Sequence, residues 1–398
     1  MMAERAAMRI GVLGAGAMGT GIAQVAATHG HPVVLADANG AAVAAARESI
    51  RRVFARLVEK DRMTVEDAAA ALDRIAPTTL EDGAGLHALA DSDLVIEAIV
   101  EDLAVKRDAF ARLEQATRPG TILATNTSSL SVTAIAGQLT HPERVVGMHF
   151  FNPVPLMPLV EVVPGLVTDP EITSAVHDLA AGWKKVPVVA KDTPGFIVNR
   201  VARPFYGEAL RMYEEGVADM ATIDWAMREV GGFRMGPFEL MDLIGNDVNF
   251  AVTQGVFAAF FYDPRYRPSL TQQRQVEAGM LGRKSGRGYY EHGGGAVAPA
   301  PQEDRVLAER IVNRIVAMLI NEAVDALFLG VASAEDLDLA MTKGVNYPKG
   351  LLAWADELGA DLVLARLEDL QAEFGEDRYR PSPLLRRVAR AGHGFLDG

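Results

Sequence analysis

Over the first 190 positions, short apolar runs alternate with longer stretches whose apolar residues recur at helical spacing. That alternation predicts strands interleaved with helices. Residues 9–13 form the first run, and the small residues of 20–28 follow as a crossover helix. The next run, 32–36, ends in Asp37. Residues 41–72 are charged, alanine-rich and helical in pattern. They are too long for a simple crossover and predict a helical excursion from the sheet. Further strands are expected at 93–100, at 121–125, in the run that ends at His149, and at 159–163. A helix over 169–182 and a last short strand at 187–190 complete the first region.

Beyond Pro194-Gly195 the pattern changes to helices only. A glycine- and proline-rich stretch, 292–302, reads as a linker. The segment on its far side repeats the segment on its near side. With a constant offset of 114 (313 − 199), Asn199-Arg200 aligns with Asn313-Arg314, Glu208-Ala209 with Glu322-Ala323, and Gly216-Val217-Ala218 with Gly330-Val331-Ala332. The match continues through Asp224 and Asp338, Gly236 and Gly350, Asp242 and Asp356, and Gly245 and Gly359. The expected organisation is therefore a nucleotide-binding domain over 1–190, a helical domain over 191–291, the linker, and a second helical copy over 303–398. The fold class is α/β plus all-α: a doubly wound sheet followed by two copies of one helical domain.

Composition narrows the function. A chain of 398 residues, 49% hydrophobic and 23% charged, suits a folded globular protein of more than one domain and neither a membrane protein nor a disordered one. Its formal charge of −13 disfavours nucleic acid as a partner. There is no cysteine, which removes disulfides, thiol nucleophiles and thiolate metal sites, and fits a reducing cytoplasm. No targeting segment is evident, and no clustered His, Asp and Glu pattern points to a metal.

The chemistry starts at Gly14-Ala15-Gly16-Ala17-Met18-Gly19, a G-x-G-x-x-G between the first strand and the first helix. Gly14 permits a tight turn, Gly16 lets backbone approach a pyrophosphate, and Gly19 lets helix and strand pack closely. Asp37, at the end of the next strand, is placed to bond ribose hydroxyls and would repel a 2′-phosphate, which favours NAD over NADP. This is the fingerprint of a Rossmann-type domain. Glu101 and the turn Asn126-Thr127-Ser128-Ser129 come after later strands, where ligands of parallel sheets sit. Ser128 and Ser129 could equally cap the helix expected over 131–139. His149 and Glu161 lie in two apolar runs joined by a proline-rich turn. A carboxylate beside an imidazole fixes which ring nitrogen carries the proton and favours the imidazolium a general base becomes. Against that stands a plain core histidine with a surface glutamate. Asn199 opens a long helix and can face a cleft or bond its own helix.

In order along the chain, GAGAMGTGIAQ, VIEAIVEDLAVK, ATNTSSL, GMHFFNPVPLMPLVEVV, KDTPGFIVNR, MGPFELMDLIG and GRKSGRGYY resemble the L-3-hydroxyacyl-CoA dehydrogenases over roughly residues 8–290. The resemblance implies an NAD-dependent enzyme acting on acyl-CoA thioesters. In it His149 would be the catalytic base, Glu161 its orienting acid, and Ser128 and Asn199 substrate-side hydrogen-bonding residues. Gly14, Gly16, Ala17, Met18, Gly19, Asp37, Glu101, Lys106 and Asn126 would meet the cofactor. Ser49, Arg52 and Arg56 on the helical excursion stand where relatives contact coenzyme A, with arginines in place of the usual lysines. The tandem arrangement is similar to dehydrogenases of fatty-acid and aromatic-acid breakdown that act on 3-hydroxyadipyl-CoA or 3-hydroxybutyryl-CoA. Single-copy relatives form homodimers through the helical domain, so the second copy implies a monomeric pseudo-dimer, with a homodimer as the alternative. A dehydrogenase of a free hydroxy or sugar acid and a non-catalytic NAD-binding relative are the competing readings.

Overall fold

The computed structural model describes residues 7–80, 85–295, 297 and 299–396. The chain divides into two compact units, one ending at Asp192 and one beginning at Thr193. The two helical copies thus share a single unit. Positions 296 and 298 of the expected linker lie outside the described residues.

The first unit is one eight-stranded sheet, β1 (Ile10–Leu13), β2 (Val33–Asp37), β3 (Ile75–Thr79), β4 (Leu94–Glu97), β5 (Ile122–Thr125), β6 (Val145–Phe150), β7 (Leu159–Pro164) and β8 (Val186–Val189). Their order across the sheet is β3-β2-β1-β4-β5-β6-β7-β8. The first six run parallel, and β7 turns antiparallel to β6. The order reverses between β1 and β4, the position where doubly wound sheets open a crevice beyond their carboxyl ends. Strands β1, β4 and β5 are buried along their whole length, which explains why they read as unbroken apolar runs. Helices α1 (Ala17–Thr28), α2 (Gly40–Glu59), α3 (Val65–Asp73), α4 (Leu103–Ala116), α5 (Val132–Ala136) and α6 (Pro170–Gly182) accompany the sheet.

Two details depart from expectation. The excursion over 41–72 is two helices, and it returns to the sheet as β3, a strand the pattern did not predict. Its sequence, Ile75-Ala76-Pro77-Thr78-Thr79, carries a proline, which an edge strand tolerates and a periodicity reading discounts. Nor do Ser128 and Ser129 cap the helix beyond them. Ser131 does, accepting from the Ala134 N–H at 3.1 Å.

The second unit contains α7 (Val198–Val201), α8 (Arg203–Glu214), α9 (Met220–Glu229), α10 (Pro237–Ile244), α11 (Asn246–Ala259), α12 (Leu270–Glu277), α13 (Arg305–Phe328), α14 (Ala334–Gly344), α15 (Leu351–Leu358), α16 (Ala360–Phe374) and α17 (Pro383–Ala391). The long helix expected from residue 194 is broken between α7 and α8, where Pro204 stands in the first turn of α8. The aligned position of the second copy is Met318, and there α13 runs unbroken.

Equivalent residues do equivalent work in the two copies. Asp224 accepts the N–H groups of Phe238 and Glu239, each at 2.9 Å, and Asp338 those of Leu352 and Ala353. Between the copies the contacts are reciprocal. Arg200 reaches Glu322 at 2.6 Å, and its counterpart Arg314 reaches Glu208, the counterpart of Glu322, at 2.9 Å. Tyr266 donates to Glu322 at 2.5 Å, and Tyr379 to Glu208 at 3.1 Å. Within each copy the arginine is held the same way, Arg200 over Phe260 and Arg314 over Phe374. Contacts in which residue i of one half meets j of the other, and j meets i, are the mark of a two-fold interface.

Glu208 and Glu322 are fully buried. Burial acts to raise both carboxyls, but Arg378 and Arg314 around Glu208, and Arg200 and Arg265 around Glu322, outweigh it and hold both below their ordinary value. Removing one partner from such a buried cluster leaves an uncompensated charge, at a cost of ~3–5 kcal/mol. Glu322→Ala and Glu208→Ala are accordingly expected to lower the urea midpoint by similar, large amounts. Glu357→Ala, at the exposed Lys349 pair, is expected to leave it nearly unchanged.

Candidate active site

The glycine loop between β1 and α1 has the shape of a phosphate cradle. Gly14 has φ +111°, and a Cβ there would lie 2.4 Å from the Ala98 carbonyl oxygen. A Cβ on Gly19 would lie 1.8 Å from the Gly14 carbonyl oxygen, so only glycine lets α1 start this close to β1. At Gly16 the corresponding space is empty of protein within 4 Å, the open approach a pyrophosphate needs. Ala17 and Met18 begin α1 directly behind it. Asp37 ends β2 beside the loop, its carboxylate accepting from the Ala15 N–H at 2.7 Å and the Asn39 N–H at 2.8 Å. Those two bonds aim the side chain while lone pairs remain for ribose hydroxyls. This set of residues fits a dinucleotide.

Beyond β4 and β5 the polar residues knit together. Glu101 accepts from Thr127 Oγ1 at 2.6 Å, from the N–H groups of Ser128 and Ser129 at 2.8 and 3.1 Å, and from Ser129 Oγ at 3.0 Å. Lys106 Nζ stands 3.3 Å from Glu101 and 2.6 Å from Glu97. Burial acts to raise the Glu101 carboxyl, but the Thr127 hydroxyl, the Lys106 ammonium and the serine donors outweigh it and hold the group below its ordinary value. The Lys106 side chain is only 1% exposed, so its ammonium acts on the site through Glu101. Asn126 carries its amide oxygen to the Phe150 N–H at 2.9 Å, tying the end of β5 to the residue after His149.

Register places His149 opposite Glu161 across the antiparallel β6–β7 pair. Nδ1 lies 2.6 Å from the Glu161 carboxylate, which is fully buried, and the imidazole is 5% exposed. The His149 ring also packs at 4.5 Å on Phe151. The core-histidine alternative separates the two side chains, whereas the sheet joins them. Between the strands, the 151–158 turn is held by Lys185, whose ammonium donates to the carbonyls of Val154 at 2.5 Å and Met157 at 2.8 Å. Burial pushes that ammonium down to about 8.

Of the remaining expected residues, Ser128 is half-buried in the Glu101 cluster. Asn199 lies in α7, half-buried between buried Val198 and Arg200. Ser49, Arg52 and Arg56 fall at i, i+3 and i+7 on one face of α2, with Arg52 and Arg56 exposed and Arg52 3.7 Å from Glu48. Two supporting residues, Glu97 and Lys185, escaped the sequence reading. Glu97 had a signal, a carboxylate inside an apolar strand, and it pairs with Lys106 and accepts from Thr125 Oγ1 at 2.7 Å. Thr127 was read only as part of the 126–129 turn, and its bond to Glu101 is seen in the fold alone. Lys185 stands after a helix in an ordinary polar context and had no signal at all.

Among the described residues no group of three or more His, Asp or Glu is arranged to hold a metal, and no helix is long and apolar enough to cross a membrane.

Comparison with known proteins agrees with this geometry. The family model for the NAD-binding domain of 3-hydroxyacyl-CoA dehydrogenase matches residues 9–193. That for the C-terminal domain of the same family matches twice, at residues 195–292 and 311–394. The chain is 42% identical to the 3-hydroxyadipyl-CoA dehydrogenase of Escherichia coli K12, with 97% of this chain and 98% of that one covered. It is 40% identical to the 3-hydroxybutyryl-CoA dehydrogenase of Clostridioides difficile, over 72% of this chain and 99% of the relative. The crystal structure of a 3-hydroxybutyryl-CoA dehydrogenase from Escherichia coli K12 superimposes with a TM-score of 0.92 at 41% identity, covering 97% of this chain and 98% of the other. Glycine cradle, an acid at the end of β2, buried imidazole–carboxylate pair and doubled helical domain thus occur together in a chain that belongs to the 3-hydroxyacyl-CoA dehydrogenase family.

Proposed function

We propose that this enzyme oxidises (S)-3-hydroxyacyl-CoA thioesters of the 3-hydroxybutyryl or 3-hydroxyadipyl type to 3-oxoacyl-CoA, with His149 as base and Glu161 as its orienting acid. The observation that carries this reading is the buried 2.6 Å bond between them, at the carboxyl end of a strand in a sheet with an intact dinucleotide cradle. NAD, when bound, supplies the hydride acceptor. Gly14, Gly16, Ala17, Met18 and Gly19 hold its pyrophosphate, Asp37 its ribose, and Glu101 and Asn126 its nicotinamide side, with Lys106 fixing Glu101. When Nδ1–H is donated to Glu161, Nε2 of His149 carries the lone pair that takes the hydroxyl proton. The buried carboxylate then stabilises the imidazolium. Ser128 and Asn199 donate to the oxygen that gains alkoxide character. Ser49, Arg52 and Arg56 meet the phosphates of coenzyme A.

A cysteine-free chain suits a reducing compartment, and the cytoplasm is the assigned location. We also assign the second helical copy the place of a partner subunit's helical domain, so that one chain is a pseudo-dimer. The reciprocal arginine–glutamate contacts support this assignment.

Following NADH absorbance with acetoacetyl-CoA tests the chemistry. His149→Gln is expected to lower kcat by roughly 10²–10⁴-fold, the ordinary worth of a general base, with NADH binding retained. Unchanged turnover in that variant would remove the mechanism, and turnover of a free hydroxy acid without coenzyme A would redirect it. Asp37→Ser is expected to raise KM for NAD and to let NADP be used, because the repelling charge is gone. Sedimentation equilibrium is expected to give the mass of one chain. A protein truncated after Gly293 exposes Glu208 without Arg314, and is expected to self-associate or lose its fold; a well-folded truncated monomer contradicts the pseudo-dimer.

A further inference from the structure

Arg203, in the first turn of α8, is 7% exposed, and among the described residues no carboxylate stands within ion-pair distance of it. Its guanidinium lies 4.9 Å from the centre of the Tyr206 ring and donates to Thr253 Oγ1 at 3.2 Å, but its Nε has no hydrogen-bond partner among the described residues. Other buried arginines of this unit are differently placed. Burial leaves the Arg203 guanidinium below its ordinary value. In Arg200, Arg265 and Arg314 burial acts the same way, but Glu322 beside the first two, and Glu215 and Glu208 beside the third, outweigh it. A lone buried charge opposes folding unless something of opposite sign meets it.

Arg203 lines a cavity of roughly 10 Å³, room for one water or one monatomic ion, together with Gly207, Thr253, Gln272 and the 265–269 segment. All of these belong to the first helical copy. Other polar groups of the wall are committed elsewhere. Arg265 meets Asp325 at 3.0 Å, Tyr266 donates to Glu322 at 2.5 Å, and Gln272 Nε2 donates to Asn249 Oδ1 at 2.7 Å.

The second copy closes the same place in another way. Arg265-Tyr266-Arg267-Pro268-Ser269 recurs as Arg378-Tyr379-Arg380-Pro381-Ser382, while Arg203 and Gly207 align with Ala317 and Asn321. Asn321 is fully buried, its Nδ2 donating to the Arg380 carbonyl at 3.0 Å and its Oδ1 accepting from the Ser382 N–H at 2.7 Å. Copy two thus has a neutral amide and no guanidinium, whereas copy one has a guanidinium and, at Gly207, no side chain. Sterics does not demand that glycine. A Cβ on Gly207 would come no closer than 3.6 Å to its nearest neighbour, the Arg378 guanidinium, and glycine inside a helix weakens it. What Gly207 provides is space beside a buried cation.

We propose that this cavity binds one small monovalent anion of halide size, with Arg203 supplying the opposite charge and an N–H donor, and Gly207 the room. A water in its place satisfies Nε but leaves the charge unmatched, and a carboxylate or phosphate group is too large for the space. The bound ion does for copy one what the Asn321 amide does for copy two: it fills the gap between the start of the repeat and the Arg-Tyr-Arg-Pro-Ser segment.

The test is the urea midpoint of the full-length protein in sodium chloride against sodium gluconate at equal ionic strength, so that general screening cancels. Gluconate is too large for the cavity. Chloride is expected to raise the midpoint, and above its dissociation constant each tenfold increase raises the folded-to-unfolded ratio about tenfold, as one site requires. Arg203→Met removes the charge, and Gly207→Asn brings in the amide that copy two uses. Both variants are expected to unfold at a midpoint independent of chloride, and if Arg203→Met does not fold, Gly207→Asn carries the comparison. Equal wild-type midpoints in the two salts overturn the site, as does a chloride response that persists in Gly207→Asn. Crystals grown in sodium bromide give a direct readout: an anomalous bromine peak beside Arg203 supports the site, and a water there overturns it.

Discussion

A glutamate with no exposed surface inside a β-sheet must find a partner of opposite or complementary polarity, because an unpaired buried carboxylate costs several kcal/mol. Glu161 finds His149, and the antiparallel turn between β6 and β7 is what makes that possible. A parallel connection would have carried the second strand elsewhere. Side chains alternate between faces along a strand, so a slip of one residue in this register would turn Glu161 to the opposite face and separate the pair. Lys185, bonded to two carbonyls of the joining turn, and Asn126, bonded to the backbone beside His149, restrain that register from either side.

The same logic, at larger scale, organises the helical unit. Glu208 and Glu322 each sit buried among arginines and a tyrosine contributed in part by the opposite copy. Such clusters add little stability compared with an apolar core of equal volume, but they impose a penalty on any other arrangement, since a displaced copy leaves charges unpaired. Duplication of one helical sequence therefore produced a specific pairing. The first copy carries the KDTPGFIVNR turn and the broken α7–α8 helix. In the second, α13 is one continuous helix with a buried apolar surface, the form expected of a supporting element.

Much of this was legible residue by residue. The glycine spacing 14, 16, 19 followed by Asp37 states a local backbone requirement, and each glycine answers a steric fact that operates over a few residues. The offset of 114 is a property of the sequence alone, and the matched aspartates Asp224 and Asp338, each accepting from the first N–H groups of the following helix, show that it carried structure with it. Less legible were elements whose residues contradict their local tendency. The edge strand β3 contains a proline, and it forms because β2 offers it a ladder. Glu97 and Lys106 are both charged and both buried, so each makes sense only beside the other.

Sequence by itself determined the alternation of strands and helices, the cofactor fingerprint, the duplication and the identity of the imidazole and carboxylate, because all of these are written in spacing along one dimension. Tertiary structure decided which of them touch. The His149 contact with Glu161, the clustering of Thr127, Ser128 and Ser129 on Glu101, and the crossed arginine–glutamate pairs of the two copies join residues from 12 to 122 positions apart. Such pairings depend on strand register and on the desolvation of charge in a packed interior, and neither quantity is defined until the chain has folded.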